Sequence, residues 1–210
     1  MHIIWHGLSC FEVVAKTPAG EMTLVVDPYD NTTGLRFPRT IEAQVVATSH
    51  DAEDANAIGA LLGSPFIVDM PGEFETKGLF VYSMSAPIKS GAHRLFRFEA
   101  EDMSIAHLGT LDRELTEEEL KFVQGANILM VPCGGGRVLD GKQAAAVVSH
   151  VEPGVVIPMT FGVPNLKETL ASVDDFYKAV GTCQKEETGK LKLQKRDLPE
   201  EGLKCVTMTR

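Results

Sequence analysis

The chain has 210 residues, of which 44% are hydrophobic and 23% charged, and it carries a net charge of -9 at pH 7. This length and composition suit one globular domain with a sizeable hydrophobic core. The acidic balance argues against binding to nucleic acid or to an anionic membrane surface, because both select basic residues. No apolar run approaches the roughly 20 residues of a membrane-spanning helix, so we expect no membrane partner.

The cysteines bear on the redox environment. Cys10, Cys133, Cys183 and Cys205 are widely separated and form no C-x-x-C pair. The N-terminal residues lack the basic segment and apolar stretch of a signal peptide. We therefore expect four free thiols in a reducing, cytoplasmic environment.

The first half of the chain is rich in short apolar or alternating runs separated by glycine and proline, the pattern of β-strands. The predicted strands are Ile3–His6, Cys10–Ala15, Met22–Val26, Gln44–Thr48, Phe66–Asp69, Leu79–Met84, Arg94–Glu99 and Met103–Leu108. Residues Ala52–Leu62 have helical composition. Asp51 and Asp54 near their start suit the free N–H groups of a helix N-terminus, so we predict a helix there with Asp54 as its cap.

The second half alternates strands and helices more regularly. Thr116 followed by Glu119 is typical of a capping box at a helix start. Further predicted elements are strand Asn127–Val131, helix Gly141–Val151, strand Val155–Met159, helix Leu166–Val180 and a closing β pair of Lys190–Lys195 with Lys204–Thr209. Strands and helices in this mixed order favour two sheets with helices on their outer faces.

Residues 48–55, T-S-H-D-A-E-D-A, follow the predicted strand Gln44–Thr48. Histidine at Ala52 and Ala55 would turn this stretch into S-H-D-H-x-D-H, a dense cluster of metal-ligand types. In the chain as it stands, only His50 and Asp54 remain of that cluster.

Six segments in chain order resemble motifs of the metallo-β-lactamase fold. They are most similar to its small metal-dependent hydrolases, the branch that includes L-ascorbate-6-phosphate lactonase. The segments are Trp5–Phe11 (W-x-G-x-S-C-F), Val26–Pro28 (D-P), Pro71–Glu75 (P-G-E-Y-E), His107–Thr110 (H-L-G-D), Val131–Gly135 (P-V-G-G) and Ile157–Phe161 (I-P-M-H-Y).

The resemblance implies an α/β (α+β) fold, an αββα sandwich of two mixed β-sheets flanked by helices. It implies one domain over residues 1–210, with two β-rich halves that meet near 110–125. Members of the family bind two metal ions, generally zinc or manganese, which activate a bridging hydroxide for hydrolysis.

The same resemblance places the family's seven metal ligands on this chain. His50 and Asp54 match two of them, and the family assigns these two to different ions. The five lost positions fall on Ala52, Ala55, Pro87, Thr110 and Thr160. Because a catalytic zinc has three protein ligands, we expect no tight metal binding and no cofactor.

We therefore predict a degenerate, non-catalytic hydrolase homologue, a pseudoenzyme that binds a small molecule in a roomier cleft or serves assembly, including a homo-oligomer. One alternative is a weak zinc or manganese hydrolase that uses His50 and Asp54, with help from His107 or Cys133. Another is a metal-free hydrolase with Cys133 as nucleophile. A third is an interaction protein that acts through its surface.

For each of these side chains, a structural role is favoured over a catalytic one. For His50 we favour a role in holding loop geometry, for His107 a structural role, and for Cys133 a buried apolar role. His93 and His150 have no evident partners and are predicted to lie on the surface.

Overall fold

The first of two β-sheets is built largely from the N-terminal part of the chain. The computed structural model describes residues 1–210. Its first sheet contains β1 (His2–Gly7), β2 (Cys10–Thr17), β3 (Gly20–Val26), β4 (Val45–Ala47), β5 (Phe66–Val68) and β13 (Leu191–Lys192). The strand order is β13-β1-β2-β3-β4-β5. The sheet is mixed, because β1 to β3 and β13 pair antiparallel whereas β3, β4 and β5 run parallel.

The second sheet has eight strands. They are β6 (Gly72–Thr76), β7 (Leu79–Ser85), β8 (Arg94–Ala100), β9 (Met103–His107), β10 (Ile128–Pro132), β11 (Val155–Met159), β12 (Gln184–Thr188) and β14 (Lys204–Met208). The order is β12-β14-β11-β10-β9-β8-β7-β6. Strands β6 to β9 form an antiparallel meander and the other four add in parallel.

Three α-helices complete the fold: α1 (Glu117–Val123), α2 (Gly141–Val151) and α3 (Asp174–Val180). Helix α2 buries an apolar face that includes Ala144, Val148 and Val151, and Asp140 caps its N-terminus. Short 3-10 turns cover Asn31–Thr33, Ile58–Ala60 and Lys195–Asp197. No helix is long and apolar enough to cross a membrane.

The hydrophobic core follows from the alternation of the strands. In β1, Ile3 and Trp5 are buried while their neighbours are half-buried. Strands β10 and β11 are buried throughout, as expected of parallel strands in the middle of a sheet. A second, smaller cluster around Tyr29 covers the first sheet from the other side. Two mixed sheets with few helices confirm the predicted α/β sandwich.

The helix predicted over 52–62 is absent, and the helix predicted over 166–180 is shorter than predicted. Residues 52–62 form turns and the short 3-10 helix Ile58–Ala60. Asp54 does not cap a helix, because its carboxylate pairs with His50 and with Arg137. Residues 166–173 form a loop, and only α3 is helical in that region. In this loop the Lys167 and Ala171 N–H groups donate to the carbonyls of Thr33 and Gly134, so tertiary contacts override local propensity.

The predicted closing β pair is also wrong. Strand β13 pairs with β1 in the first sheet, whereas β14 lies between β11 and β12 in the second. Strand β12 was not predicted. The motif segment Pro71–Glu75 was not among the predicted strands, but it forms β6 from Gly72 onward. Alternation predicts that a segment is a strand, but not which strand will pair with it.

The expectation of four free thiols is corrected at two positions. Cys183 and Cys205 form a disulfide, with their Cα atoms 5.9 Å apart, while Cys10 and Cys133 are free and buried. The two bonded residues meet because β12 and β14 are neighbouring parallel strands with Gln184 opposite Lys204. Their sequence separation gives no hint of this pairing.

Candidate functional site

Loops that follow five strands converge at one end of the sandwich. They carry Asp27 after β3, Ser49 and His50 after β4, Thr110 after β9, Arg137 after β10 and Thr160 after β11. Backbone hydrogen bonds join the two sheets here, from Arg94 N–H to Ser49 O at 2.8 Å and from Thr160 N–H to Leu8 O at 3.1 Å. The site therefore lies where both sheets present the carboxyl ends of their parallel strands.

A chain of hydrogen bonds runs through the side chains that follow β3 and β4. Ser49 donates from its backbone N–H to Asp27 Oδ1 at 2.6 Å and from its hydroxyl to Asp27 Oδ2 at 2.8 Å. His50 Nδ1 lies 2.9 Å from Ser49 Oγ, and its Nε2 lies 3.0 Å from Asp54 Oδ1. Four side chains are thus joined in one line from the core to the cleft.

This line fixes the protonation of His50. The only hydroxyl proton of Ser49 goes to the Asp27 carboxylate, so Nδ1–H of His50 must donate to Ser49 Oγ. The other nitrogen faces the Asp54 carboxylate and must also donate, which makes the ring an imidazolium. Burial opposes this charge, but the hydrogen bond to Asp54 and the charge of Asp27 outweigh it, and the pKa of His50 is raised.

Asp54 and Arg137 form an ion pair at the mouth of this line. Arg137 Nη2 lies 2.7 Å from Asp54 Oδ2, and Arg137 Nε donates to Glu168 Oε1 at 2.8 Å. The Asp54 side chain is only 14% exposed. Burial alone would raise its pKa, but the hydrogen bond from His50 and the charge of Arg137 lower it to about 2. Asp54 is therefore ionised and paired on both sides at neutral pH.

His93 belongs to the site although the sequence placed it on the surface. The residue is 1% exposed, and its ring centroid lies 6.2 Å from that of His50. Nδ1–H donates to Ala86 O at 3.1 Å and Nε2 accepts from Thr110 N–H at 3.1 Å, so the ring is neutral. Burial and the nearby charge of His50 lower its pKa to about 3. His150 is exposed, as predicted.

The other two candidates, His107 and Cys133, are fully buried. The His107 ring donates from Nε2 to Ser9 O at 2.8 Å and accepts at Nδ1 from Gly109 N–H at 3.1 Å, so it bridges backbone groups of the two sheets. Burial raises the pKa of the Cys133 thiol to about 12. A thiol of this kind stays protonated at neutral pH and is a poor nucleophile.

The five positions predicted to have lost a metal ligand differ in their exposure to solvent. Ala52 and Pro87 are exposed, and Ala55 is buried. Thr110 and Thr160 are buried, and their hydroxyls have no hydrogen-bond partner. Thr160 also has φ of 50°, a left-handed conformation that is uncommon for a β-branched residue. Buried unpaired hydroxyls and strained backbone of this kind concentrate at functional sites.

A cleft of about 640 Å³ opens above these residues. His50, Asp54, Thr110 and Arg137 line it, and so does Ala52, where the motif resemblance implies a histidine. Further charged side chains around it are Glu53, Lys89, Asp112 and Glu168. The cleft is therefore polar and contains charges of both signs.

The residues present do not fit a two-metal centre. No group of three or more His, Cys, Asp or Glu side chains lies close enough together to hold a metal ion. Both nitrogens of His50 donate to protein groups, and both oxygens of Asp54 are paired. The Arg137 guanidinium also puts a fixed positive charge beside Asp54, where a metal cation would be repelled.

The sequence interpretation placed His50 and Asp54 at this site and missed Arg137, Glu168 and His93. Arg137 directly follows the glycine run after β10. That position at a strand end was the one available signal for it. Nothing local marks Glu168 or His93 as its companions in the site.

The sequence of the chain matches a family model described as the beta-lactamase superfamily domain over residues 2–160. A UPF0173 metal-dependent hydrolase of Thermoplasma acidophilum is 22% identical over 198 residues, which cover 79% of this chain and 85% of that protein. A UPF0173 protein of Pyrococcus abyssi is 22% identical over 183 residues, with coverage of 77% and 84%.

Solved structures agree with this match. A protein of Thermotoga maritima described as a Zn-dependent hydrolase of the metallo-beta-lactamase superfamily superposes with a TM-score of 0.82 and 29% identity, over 99% of this chain and 97% of that one. The metallo hydrolase Igni18 of Ignicoccus hospitalis has a TM-score of 0.63 at 19% identity, over 85% and 89%. The second likeness shows the fold alone.

These matches confirm the metallo-β-lactamase fold that the motifs indicated. The narrower resemblance to L-ascorbate-6-phosphate lactonase stays a prediction, because none of these relatives carries that description. Since the family model matches most of the chain and the two mixed sheets superpose on solved members, this chain belongs to the beta-lactamase superfamily, with the metal-dependent hydrolases of the metallo-β-lactamase fold.

Proposed function

We propose that this protein is a non-catalytic member of its family, a pseudoenzyme that binds a small molecule in its cleft without hydrolysing it. The observation that carries the proposal is the state of the two surviving ligand residues. Both ring nitrogens of His50 and Oδ1 of Asp54 are hydrogen-bonded to protein groups, and Oδ2 of Asp54, which has no hydrogen bond, lies 2.7 Å from the Arg137 guanidinium in an ion pair. A catalytic metal centre needs free donor atoms around each ion and an open position for water.

The other ligand positions support the same proposal. Alanine and proline side chains at 52, 55 and 87 offer no donor atom. Thr110 and Thr160 offer neutral hydroxyls where zinc sites use thiolate, imidazole or carboxylate. A site with these residues lacks the protein ligands that would hold a metal ion and its bound water.

The cleft supports a binding role. Its volume of about 640 Å³ falls within the range of small-molecule sites, which runs from about 300 to 1,000 Å³. Thr110 lies in the cleft wall, and its buried hydroxyl has no hydrogen-bond partner in the protein. Self-assembly into a homo-oligomer stays a prediction that light scattering in solution tests.

Cys133 gives the metal-free hydrolase no comparable support. Its thiol is buried, its pKa is raised, and it does not line the cleft. His107, the other candidate residue of these alternatives, uses both ring nitrogens to bind backbone groups.

Metal analysis of the purified protein tests the proposal. After incubation with excess zinc or manganese and gel filtration, we expect substoichiometric metal in the wild type and the same content in His50→Ala. The exposed His150→Ala variant is the matched control for adventitious binding by surface histidine. Stoichiometric metal in the wild type that His50→Ala loses and His150→Ala retains would overturn the proposal.

A further inference from the structure

We propose that Arg137 takes the place of a bound metal ion. Its guanidinium neutralises Asp54 and fastens the loops of the cleft together, so that the site keeps its shape without metal. The inference deepens the proposed function, and it rests on that function only in taking the working protein to be metal-free.

The first support is geometric. Arg137 bridges two carboxylates on two different loops, with Nη2 2.7 Å from Asp54 Oδ2 and Nε 2.8 Å from Glu168 Oε1. Asp54 follows β4, Arg137 follows β10 and Glu168 follows β11. One side chain thus joins three strand-end loops from both sheets, the connection that a metal ion makes in a site with ligands from several loops.

The second support is the burial of Asp54. Its side chain is 14% exposed, and a carboxylate in such a place needs a cation or strong donors. His50 supplies one donor, to Oδ1, and Arg137 supplies the charge beside Oδ2. Without Arg137 the carboxylate would keep its ion pair with the His50 imidazolium at Oδ1, and Oδ2 would have no partner.

The third support is the chemistry of the guanidinium group. It is planar, permanently charged and carries five donors in a fixed fork, so it can serve two carboxylates at once. A lysine ammonium is a single charged point and cannot reproduce both contacts with the same geometry. Arg137 contacts the two carboxylates through different nitrogen atoms of its guanidinium, Nη2 for Asp54 and Nε for Glu168.

Another ion pair in the chain provides a matched control. Arg97 Nε lies 2.8 Å from Glu99 Oε1, and these side chains are 23% and 37% exposed. Arg97 is 23% exposed and Arg137 36%, and each contacts a carboxylate at 2.8 Å and a second acceptor, which for Arg97 is the Gln124 carbonyl, but the partner carboxylate of Arg97 is not buried. Exposed pairs of this kind contribute little to stability.

The experiment compares the thermal unfolding of Arg137→Ala and Arg97→Ala. We expect Arg137→Ala to lower Tm by about 5–10 °C, because it removes one of the two cations beside a buried carboxylate and leaves Oδ2 without a partner, and Arg97→Ala to lower it much less. Adding Asp54→Asn to Arg137→Ala should recover part of the loss, because it removes the carboxylate charge that Arg137 no longer offsets. Millimolar methylguanidinium should raise the Tm of Arg137→Ala and leave the wild type and Arg97→Ala unchanged.

The outcomes separate this inference from the proposed function. Equal Tm values for Arg137→Ala and Arg97→Ala, or no recovery with Asp54→Asn and with methylguanidinium, would overturn the role of Arg137 alone. Zinc or manganese that stabilises Arg137→Ala but not the wild type would support it. Stoichiometric metal in the wild type, with Arg137 in place, would overturn both. If Arg137→Ala does not fold, folding of the Asp54→Asn/Arg137→Ala double variant supports the inference and its failure to fold overturns it.

Discussion

Two neighbouring histidines of the cleft hold opposite protonation states. His50 faces a carboxylate and a hydroxyl that already has its proton committed, so both of its nitrogens donate. His93 faces a carbonyl on one side and an amide N–H on the other, so it is neutral. The partners, and not the type of residue, decide the charge, and they leave one cationic ring and one neutral ring 6.2 Å apart.

Acidification is expected to destabilise the protein through His93. Its pKa is about 3 in the folded protein and about 6.5 in the unfolded chain, so the unfolded state takes up the proton first. The stability that this residue contributes is therefore fully present above about pH 6.5 and falls as the pH drops toward 3. The loss over this window is on the order of 5 kcal/mol.

Urea unfolding at pH 7, 5.5 and 4.5 measures this effect. We expect His93→Gln to be less stable than the wild type at pH 7 but to lose less stability on acidification, since glutamine does not titrate. His150→Gln, at an exposed position, should keep the pH dependence of the wild type. Parallel curves for the wild type and His93→Gln would contradict the assignment of a neutral, buried ring.

Among the elements, helix α1 begins at the capping box that the local sequence predicts. Thr116 Oγ1 accepts from Glu119 N–H at 3.3 Å, and the Glu119 carboxylate accepts from Thr116 N–H at 2.8 Å, which is the predicted capping box. The same carboxylate receives both Nη atoms of Arg113 at 2.7 Å. This seven-residue helix is thus anchored at its start by side chains close in sequence.

Removing the cap tests its contribution. We expect Thr116→Ala to lower the free energy of unfolding by about 1 kcal/mol, because the first turn loses a side-chain acceptor. Thr116→Ser keeps the hydroxyl and should stay within a few tenths of a kcal/mol of the wild type. Chemical denaturation of the three proteins measures the difference. An unchanged midpoint for Thr116→Ala would show that Arg113 and Glu119 hold the helix start without it.

Elements with a local signature were predictable, and elements shaped by distant partners were not. Strand β11 has the predicted bounds, Val155–Met159, because a short β-branched run between breakers determines it. The helix predicted over 52–62 is absent because Asp54, read as a cap, binds His50 and Arg137 instead. A carboxylate near the start of a helical pattern looks the same in both cases until the fold places an arginine beside it.

At the scale of the whole molecule, local sequence patterns likewise indicate only part of the site, because its other residues are brought in from distant parts of the chain. The motif at 48–55 marked one wall of the cleft, because four ligand-type positions in sequence are a local feature. Arg137 and Glu168 lie on loops after β10 and β11, and only the order of the strands brings them to Asp54. The family resemblance implies which ligands are missing, but it gives no indication that Arg137 and Glu168 lie beside Asp54.

Thiol counting tests the arrangement of the cysteines across the molecule. Without reductant, we expect no rapid reaction of the native protein with a thiol reagent, because Cys10 and Cys133 are buried and burial raises the pKa of both thiols. Unfolding in denaturant should expose these two, and reduction should add Cys183 and Cys205. Four reactive thiols in the unreduced, unfolded protein would contradict the disulfide. A rapid reaction of Cys133 in the native protein would instead support the metal-free hydrolase with Cys133 as nucleophile.

The pairing of β13 with β1 has a consequence for how the chain assembles during synthesis. Ile3 is made well before its partner Leu191, so this edge of the first sheet stays open while the residues between them are produced. Contacts so distant in sequence form slowly because a long loop must close first. The emerging protein therefore presents an unpaired strand edge until Leu191 has been made, a period in which pairing with other chains competes with correct folding.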